Sequence, residues 1–351
     1  MKAARFHGRN DIRIDEIAEP AVGPAGVKIK IEWCGICGTD LHEYHDGPIF
    51  CPTPDEPNQM TGETSPVVLG HEFVGEVVEV GADVTSVEVG EKVAVEPRLV
   101  CGECDACRAG FHNCCGYATT IGLGGGGGGL SEYITVDQEL VFAIGDLPSD
   151  TAALLEPLAV AYHASGRSGV EPGDTAVVFG AGPIGLLITS MLKALGASSV
   201  VLVEPSTTRR ERGVDAGADV LVDPVKQDVQ SIVADLTGGA GVDVAFECSG
   251  VDVALQGCLA VIKARGTVVN VAIRSRPATI DLLPLILKEA HLVGTICYAN
   301  DFPPVIALLQ SGKLTIGDLI TKKIRLDDLV AEGIETLLHD SESHVKILVR
   351  P

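Results

Sequence analysis

The sequence predicts an α/β protein in two parts, a β-rich, barrel-like domain and a domain with a doubly wound parallel sheet. Three observations carry that expectation. Short runs that alternate apolar and polar residues, punctuated by glycine, fill the first part of the chain, which is the period-two signal of half-buried strands. From about Glu171 the rhythm changes to apolar strand then helix, six times over, as a parallel sheet covered on both faces requires. Between the first of those strands and its helix stands Gly180-Ala181-Gly182-Pro183-Ile184-Gly185, a G-x-G-x-x-G run in the context that gives it meaning.

In order, the strands expected in the first part are Val27–Trp33, Phe73–Val80, Lys92–Glu96, Glu132–Val136 and Leu140–Ile144. Tyr44–Pro66, rich in Pro, Asp, Glu and Gly, interrupts them and reads as a long surface loop. Such loops are uncommon in compact domains unless they do something. The six glycines Gly124–Gly129 read as a flexible surface turn, because ordering glycine costs backbone entropy. The second part offers Thr175–Phe179, Val200–Val203, Val220–Val222, Val242–Cys248, Thr267–Ala272 and Leu292–Ile296 as strands. Pro183–Leu195, Thr207–Ala216 and Val251–Lys263 are helical segments between them. A last strand-like run, Val345–Val349, is expected to rejoin the first domain. The domains so drawn are 1–155 with 299–351, and 156–298.

A chain of 351 residues can bury two cores. Its formal net charge of −22 repels nucleic acid and anionic membrane, so neither is an expected partner. No stretch is long and apolar enough to span a bilayer, and Met1 to Glu16 reads as a charged strand rather than a signal peptide. The eleven cysteines are too unevenly spaced for a disulfide scaffold. A reducing cytoplasm is the expected location, since thiolates must stay reduced to hold metal.

Four of those cysteines, Cys101, Cys104, Cys107 and Cys115, form C-x2-C-x2-C-x7-C, a spacing that closes around one tetrahedral Zn²⁺. A second, mixed set is Cys37, His71-Glu72 and Glu156. One all-sulfur set and one mixed set suggest a closed structural zinc and an open catalytic zinc. Cys34 and Cys37 also spell C-x-x-C, but a redox pair expects a thioredoxin-like setting that is missing here. In the nucleotide motif, Gly180, Gly182 and Gly185 allow a tight turn and close approach of pyrophosphate. Pro183 and Ile184 open a helix whose N-terminus favours anions. Glu204 ends the second strand, where a carboxylate binds ribose hydroxyls and repels a 2′-phosphate, so NAD is expected over NADP. Arg209, Arg210 and Arg212 stand nearby and read as a solvated helix face or as receivers of that phosphate.

These residues resemble the zinc-dependent medium-chain alcohol dehydrogenases over essentially the whole chain. The resemblance is carried by Trp33-Cys34-Gly35-Ile36-Cys37-Gly38-Thr39-Asp40-Leu41-His42-Glu43-Tyr44, by Asp46-Gly47-Pro48-Ile49-Phe50, by Gly70-His71-Glu72, by the four cysteines and by Glu156-Pro157-Leu158. Asp46–Phe50 and the loop after it look most like the (R,R)-2,3-butanediol dehydrogenase branch, with sorbitol dehydrogenases next. The resemblance implies a GroES-like β domain interrupted by a Rossmann domain, NAD, two Zn²⁺ per chain, and a homodimer or homotetramer assembled through the Rossmann sheets. Cys37, His71 and Glu156 would hold the catalytic zinc. Glu72 would be an exchangeable ligand or would act through the zinc-bound water. Thr39 would hydrogen-bond the substrate oxygen, His42 would end the proton relay, and Asp40 would orient a ligand. Glu204 and Arg209 would hold the adenosine ribose. Sorbitol dehydrogenases carry an arginine where this chain has Cys297, which suits a smaller, less hydroxylated substrate. The implied reaction is reversible oxidation of 2,3-butanediol, a vicinal secondary diol, to the α-hydroxyketone acetoin, with sorbitol or a related polyol as the alternative.

Overall fold

In the computed structural model, which describes residues 1–274 and 276–351, the first unit is organised by one long strand, Gly26–Gly35. Val27, Ile29 and Ile31 are buried on its inner face, while Lys30 faces water, the alternation expected of a strand with one wet side. It pairs antiparallel with Glu72–Val80, with Tyr133–Asp137, and at Cys34 and Gly35 with the C-terminal strand Lys346–Arg350. The full sheet has seven strands. A second sheet of three strands, built on Lys2–Gly8, shares its core. Phe6, Ile29, Leu69, Phe73, Ile134 and Ile347 are among the buried residues of that core.

The chain divides into two compact units, Met1–Glu156 with Ile320–Pro351, and Pro157–Leu319. Val345–Val349 thus returns to the first unit, as the sequence led us to expect. Residues 299–319, drawn with the first domain on sequence, lie in the second. Their helix, Phe302–Gln310, buries Phe302, Val305 and Ile306, and the Phe302 ring meets Tyr298 edge-on at 5.5 Å.

The second unit is a six-stranded sheet in the order Val220–Val222, Ser199–Val203, Thr175–Phe179, Val242–Glu247, Ile262–Asn270, His291–Gly294. Every neighbouring pair is parallel. This is the doubly wound order whose chain reverses direction beside Thr175–Phe179 and Val242–Glu247, where such sheets bind nucleotides. The central strands are fully buried apolar runs, Ala176–Val178 and Val200–Leu202 among them, because helices cover both faces.

Two local expectations change. The helix expected over Thr207–Ala216 is regular only over Thr207–Glu211. At Gly213 the chain closes on the sheet, and an added Cβ would lie 2.4 Å from Leu202. The glycine run is not a free surface turn, since Gly124, Gly125, Gly128 and Gly129 are buried. A Cβ on Gly124 would strike Thr119 Oγ1 at 1.8 Å, and one on Gly128 would strike the Leu69 carbonyl at 2.3 Å. At Gly124, Gly128 and Gly129 neighbouring chain fills the space a side chain would need.

Candidate active site

The strand Gly26–Gly35 delivers Ile36 and Cys37 to the start of the helix Gly38–Asp46. Cys37 is the N-cap of that helix, with extended backbone, and Asp40 at the third helical position reaches back to it. The Cys37 amide donates to Asp40 Oδ2 at 2.9 Å, half of a capping box. The other oxygen, Asp40 Oδ1, lies 3.7 Å from His71 Nδ1. Asp40 is fully buried. One carboxylate therefore holds the Cys37 amide by a hydrogen bond and faces His71 as a charge, without a hydrogen bond to the imidazole.

His71 and Glu72 arrive where the chain enters the strand Glu72–Val80. Ligand atoms of Cys37, His71 and Glu72 all lie within 4.8 Å of one another. Among the described residues this is one of two such clusters. Burial disfavours charge on His71, but Asp40, Cys37 and Glu156 outweigh it and hold the imidazole well above its ordinary range. Glu156, in the first turn of the helix Leu155–Ser168, is thus close enough to act on His71, although it is not a member of the 4.8 Å cluster.

Lys346, not singled out from the sequence, belongs here. Its ammonium donates to Glu72 at 2.6 and 2.8 Å and to the Ile36 carbonyl at 3.1 Å. Lys346 is buried, nearly as fully as its apolar neighbours Ile347 and Leu348. Burial works against its charge, yet Glu72, Cys37 and Glu156 raise it above the usual lysine range. The signal was a lysine inside the apolar run Val345–Val349, where burying a cation is costly unless it is paired. Gly35 completes the arrangement, for a Cβ there would lie 2.1 Å from Glu72 Oε2.

Thr39 and His42 share a face of the helix Gly38–Asp46, three residues apart. The Thr39 hydroxyl lies 3.7 Å from Cys37 Sγ. His42 is open to solvent, 3.8 Å from Asp46. The first hydroxyl of the expected relay is therefore beside the thiol of a candidate ligand, and its last group faces water.

The four-cysteine cluster is also assembled, with ligand atoms within 4.8 Å of one another. Cys101 Sγ lies 4.0 Å from Cys107 Sγ and 3.5 Å from Cys115 Sγ. A tetrahedron with Zn–S bonds of about 2.3 Å has S···S edges of about 3.8 Å, so the sulfurs fit that ion. The Cys107 amide and neighbouring thiols lower the Cys104 thiol to about 6, which favours the thiolate that binds metal. Cys114 is exposed and outside the cluster.

In the second unit the glycine motif forms the turn between Thr175–Phe179 and the helix Pro183–Ala194. Gly180 has φ +103°, and a Cβ on Gly185 would collide with its carbonyl oxygen at 1.9 Å. A Cβ on Gly182 would meet nothing within 4 Å, so that face of the turn is open to a ligand. Pro183 occupies the first helical turn. Glu204 is buried at the tip of its strand, taking the Ala181 amide at 2.8 Å and the Ser206 amide at 3.0 Å. Its carboxylate thus sits against the glycine turn. Arg209 lies on the short helix that follows, its amide bonded to the Ser206 side chain. Arg210 is committed elsewhere, to the Glu204 carbonyl at 2.7 Å and beside Asp223.

Comparison with known proteins adds relatives to this geometry. Residues 23–146 match the alcohol dehydrogenase GroES-like domain, and residues 183–311 match the zinc-binding dehydrogenases. An (R,R)-butanediol dehydrogenase from Neisseria gonorrhoeae is 46% identical, covering 100% of this chain and 99% of its own. The crystal structure of 2R,3R-butanediol dehydrogenase from Bacillus subtilis superposes with a TM-score of 0.94 at 47% identity, covering 100% of this chain and 99% of that one. An alcohol dehydrogenase from Escherichia coli CFT073, solved with NADH, has a TM-score of 0.88 at 27% identity, covering 100% of this chain and 99% of that one.

Proposed function

Because this chain belongs to the zinc-binding, GroES-like alcohol dehydrogenases, we propose that it interconverts 2,3-butanediol and acetoin with NAD. The observation that carries the reading is the cluster of Cys37, His71 and Glu72 with the Thr39 hydroxyl 3.7 Å from Cys37 Sγ, in a chain similar to butanediol dehydrogenases from end to end.

Cys37, His71 and Glu156 would hold the catalytic zinc, with Glu72 beside them as exchangeable ligand, and Cys101, Cys104, Cys107 and Cys115 the structural zinc. When bound, zinc supplies a Lewis acid for the reacting oxygen, and the nicotinamide supplies the hydride acceptor. The chain's own residues manage the proton. Thr39 Oγ1 accepts it from the substrate hydroxyl and passes it toward His42, whose imidazole is open to water. Asp40 keeps Cys37 and His71 in register. Gly182, Ile184 and Gly185 offer backbone amides to the pyrophosphate, while Gly180 makes the turn and Pro183, which has no N–H, opens the helix. Glu204 and Arg209 take the adenosine ribose, and the Glu204 carboxylate disfavours a 2′-phosphate, hence NAD over NADP.

Two further readings follow. The strand His291–Gly294 is an edge of its sheet. Leu292, Ile286 and Leu287 leave apolar surface exposed on and just before it, so a second copy would pair there across a two-fold axis. Light scattering that finds single chains would remove this. The cytoplasm is the proposed compartment, supported by the free state of all eleven cysteines. Among the described residues no helix is long and apolar enough to cross a membrane.

The test is NADH formation, followed by absorbance, over stereoisomers of 2,3-butanediol and over sorbitol, with a chelator control. Faster turnover of sorbitol, or turnover untouched by metal removal, would overturn the proposal.

A further inference from the structure

Glu43 is fully buried on the helix Gly38–Asp46, four residues beyond Thr39 and so on the same face. Among the described residues no cation pairs with it. Its carboxylate is used on backbone instead. The Ile49 amide donates to both oxygens, at 3.0 and 3.2 Å, and the Phe50 amide donates to Oε1. The Gly47 amide donates to the Glu43 carbonyl at 3.0 Å. A Cβ on Gly47 would lie 2.2 Å from that carbonyl, so the chain must be glycine to turn so tightly around this acid. Cys51 is buried next to it, and burial together with Glu43 pushes its thiol well up, keeping it a neutral donor.

The side chains held by this clamp are not packed away. Ile49 is 52% exposed and Phe50 53% exposed. A buried carboxylate costs stability unless several charge-assisted hydrogen bonds offset it. Here those bonds fix two large apolar groups in the open, beside an acid that lies one helical turn from Thr39. Fixed apolar surface beside convergent polar groups is how a small-molecule site is built.

We propose that Glu43 is a positioning residue for the substrate site, holding Ile49 and Phe50 as an apolar wall that prefers a small, methyl-flanked diol to a polyhydroxylated one. The proposal rests on the functional reading above and deepens it. Polyol hydroxyls against that wall would lose water without gaining partners, whereas a methyl group would gain contact. Apolar discrimination of this size is worth about 10–200-fold.

The experiment uses the zinc-loaded full chain and the variants Glu43→Ala, Glu43→Gln, Phe50→Ala and Glu43→Ala/Phe50→Ala. Steady-state kinetics on 2,3-butanediol and sorbitol is paired with hydrogen exchange at Ile49 and Phe50. Glu43→Ala should raise the diol KM about tenfold with little change in kcat, lower the diol-to-sorbitol preference alike, and speed exchange at both amides. Glu43→Gln, which keeps an acceptor oxygen, should recover most of this. Glu43→Ala should add little in the Phe50→Ala background. Unchanged KM and preference with faster exchange would overturn the wall. Full additivity of the two substitutions would do the same, and unchanged exchange would overturn the clamp. Should Glu43→Ala not fold, Glu43→Gln and Phe50→Ala carry the same comparison. Wild-type enzyme that ignores the diol would refute the functional reading instead, and exchange would still decide the clamp.

Discussion

Replacing Lys346 with methionine should destabilise the first unit far more than a typical lysine substitution. The Lys346 and Glu72 side chains are 3% and 1% exposed, and their atoms meet at 2.6 and 2.8 Å. Methionine keeps much of the volume but leaves Glu72 buried without its cation. Removing one partner of a buried pair costs about 3–5 kcal/mol. With a urea slope of about 2 kcal/mol per molar, the unfolding midpoint should fall by about 1.5–2.5 M. The chain carries its own reporter, since Trp33 is the sole tryptophan and lies on the strand Gly26–Gly35, with Lys323 5.2 Å from its ring. Its fluorescence reads the first unit directly. Free zinc must be held constant, because bound metal itself stabilises. The double variant Glu72→Gln/Lys346→Met should regain part of the loss, since removing both charges leaves no orphan ion. A single variant within about 1 kcal/mol of wild type, or a double variant worse than the single, would refute the argument.

Three other outcomes are expected. Thr39→Ala should lower kcat by about 10²–10⁴-fold, the range for a lost proton-transfer group, while fluorescence titration finds NADH affinity nearly unchanged; intact turnover would take Thr39 out of the relay. Elemental analysis of Cys104→Ser should find one zinc per chain where wild type has two, with NADH binding preserved. Asp243 should set part of the acid stability: burial pushes its carboxyl up, but hydrogen bonds from Lys263 and Thr175 outweigh that and leave it below its ordinary 3.8. A depressed folded value gives stability that is full above the unfolded value and is lost as pH falls through the folded one. Asp243→Asn should therefore destabilise at pH 7 and converge with wild type as pH falls through the depressed folded value; a gap that persisted in acid would exclude the electrostatic cause.

What could be read from the sequence was whatever depends on neighbours along the chain. Strands such as Thr175–Phe179 were legible because burial on both faces imposes an unbroken apolar run. The four cysteines were legible because a metal that binds within fifteen residues imposes a spacing. Lys346 was not, because its partner Glu72 is 274 residues away in sequence and no periodicity encodes such a pair. The glycine run misled for a related reason. Composition alone suggests slack, whereas the steric need at Gly124 and Gly128 comes from Thr119 and Leu69, which only the fold brings near. The burial of Glu43 was not legible either, because it follows from a loop that doubles back over it.

The return of Lys346–Arg350 to the strand that leads to Cys37 sets an order for manufacture. A ribosome adds about 5–20 residues per second, so the nucleotide-binding unit emerges whole and can fold while the first unit still lacks an edge of its sheet. Until residue 346 appears, Glu72 lacks the lysine that pairs with it in the folded unit. The first unit is thus completed last, by a strand that carries its own cationic bolt.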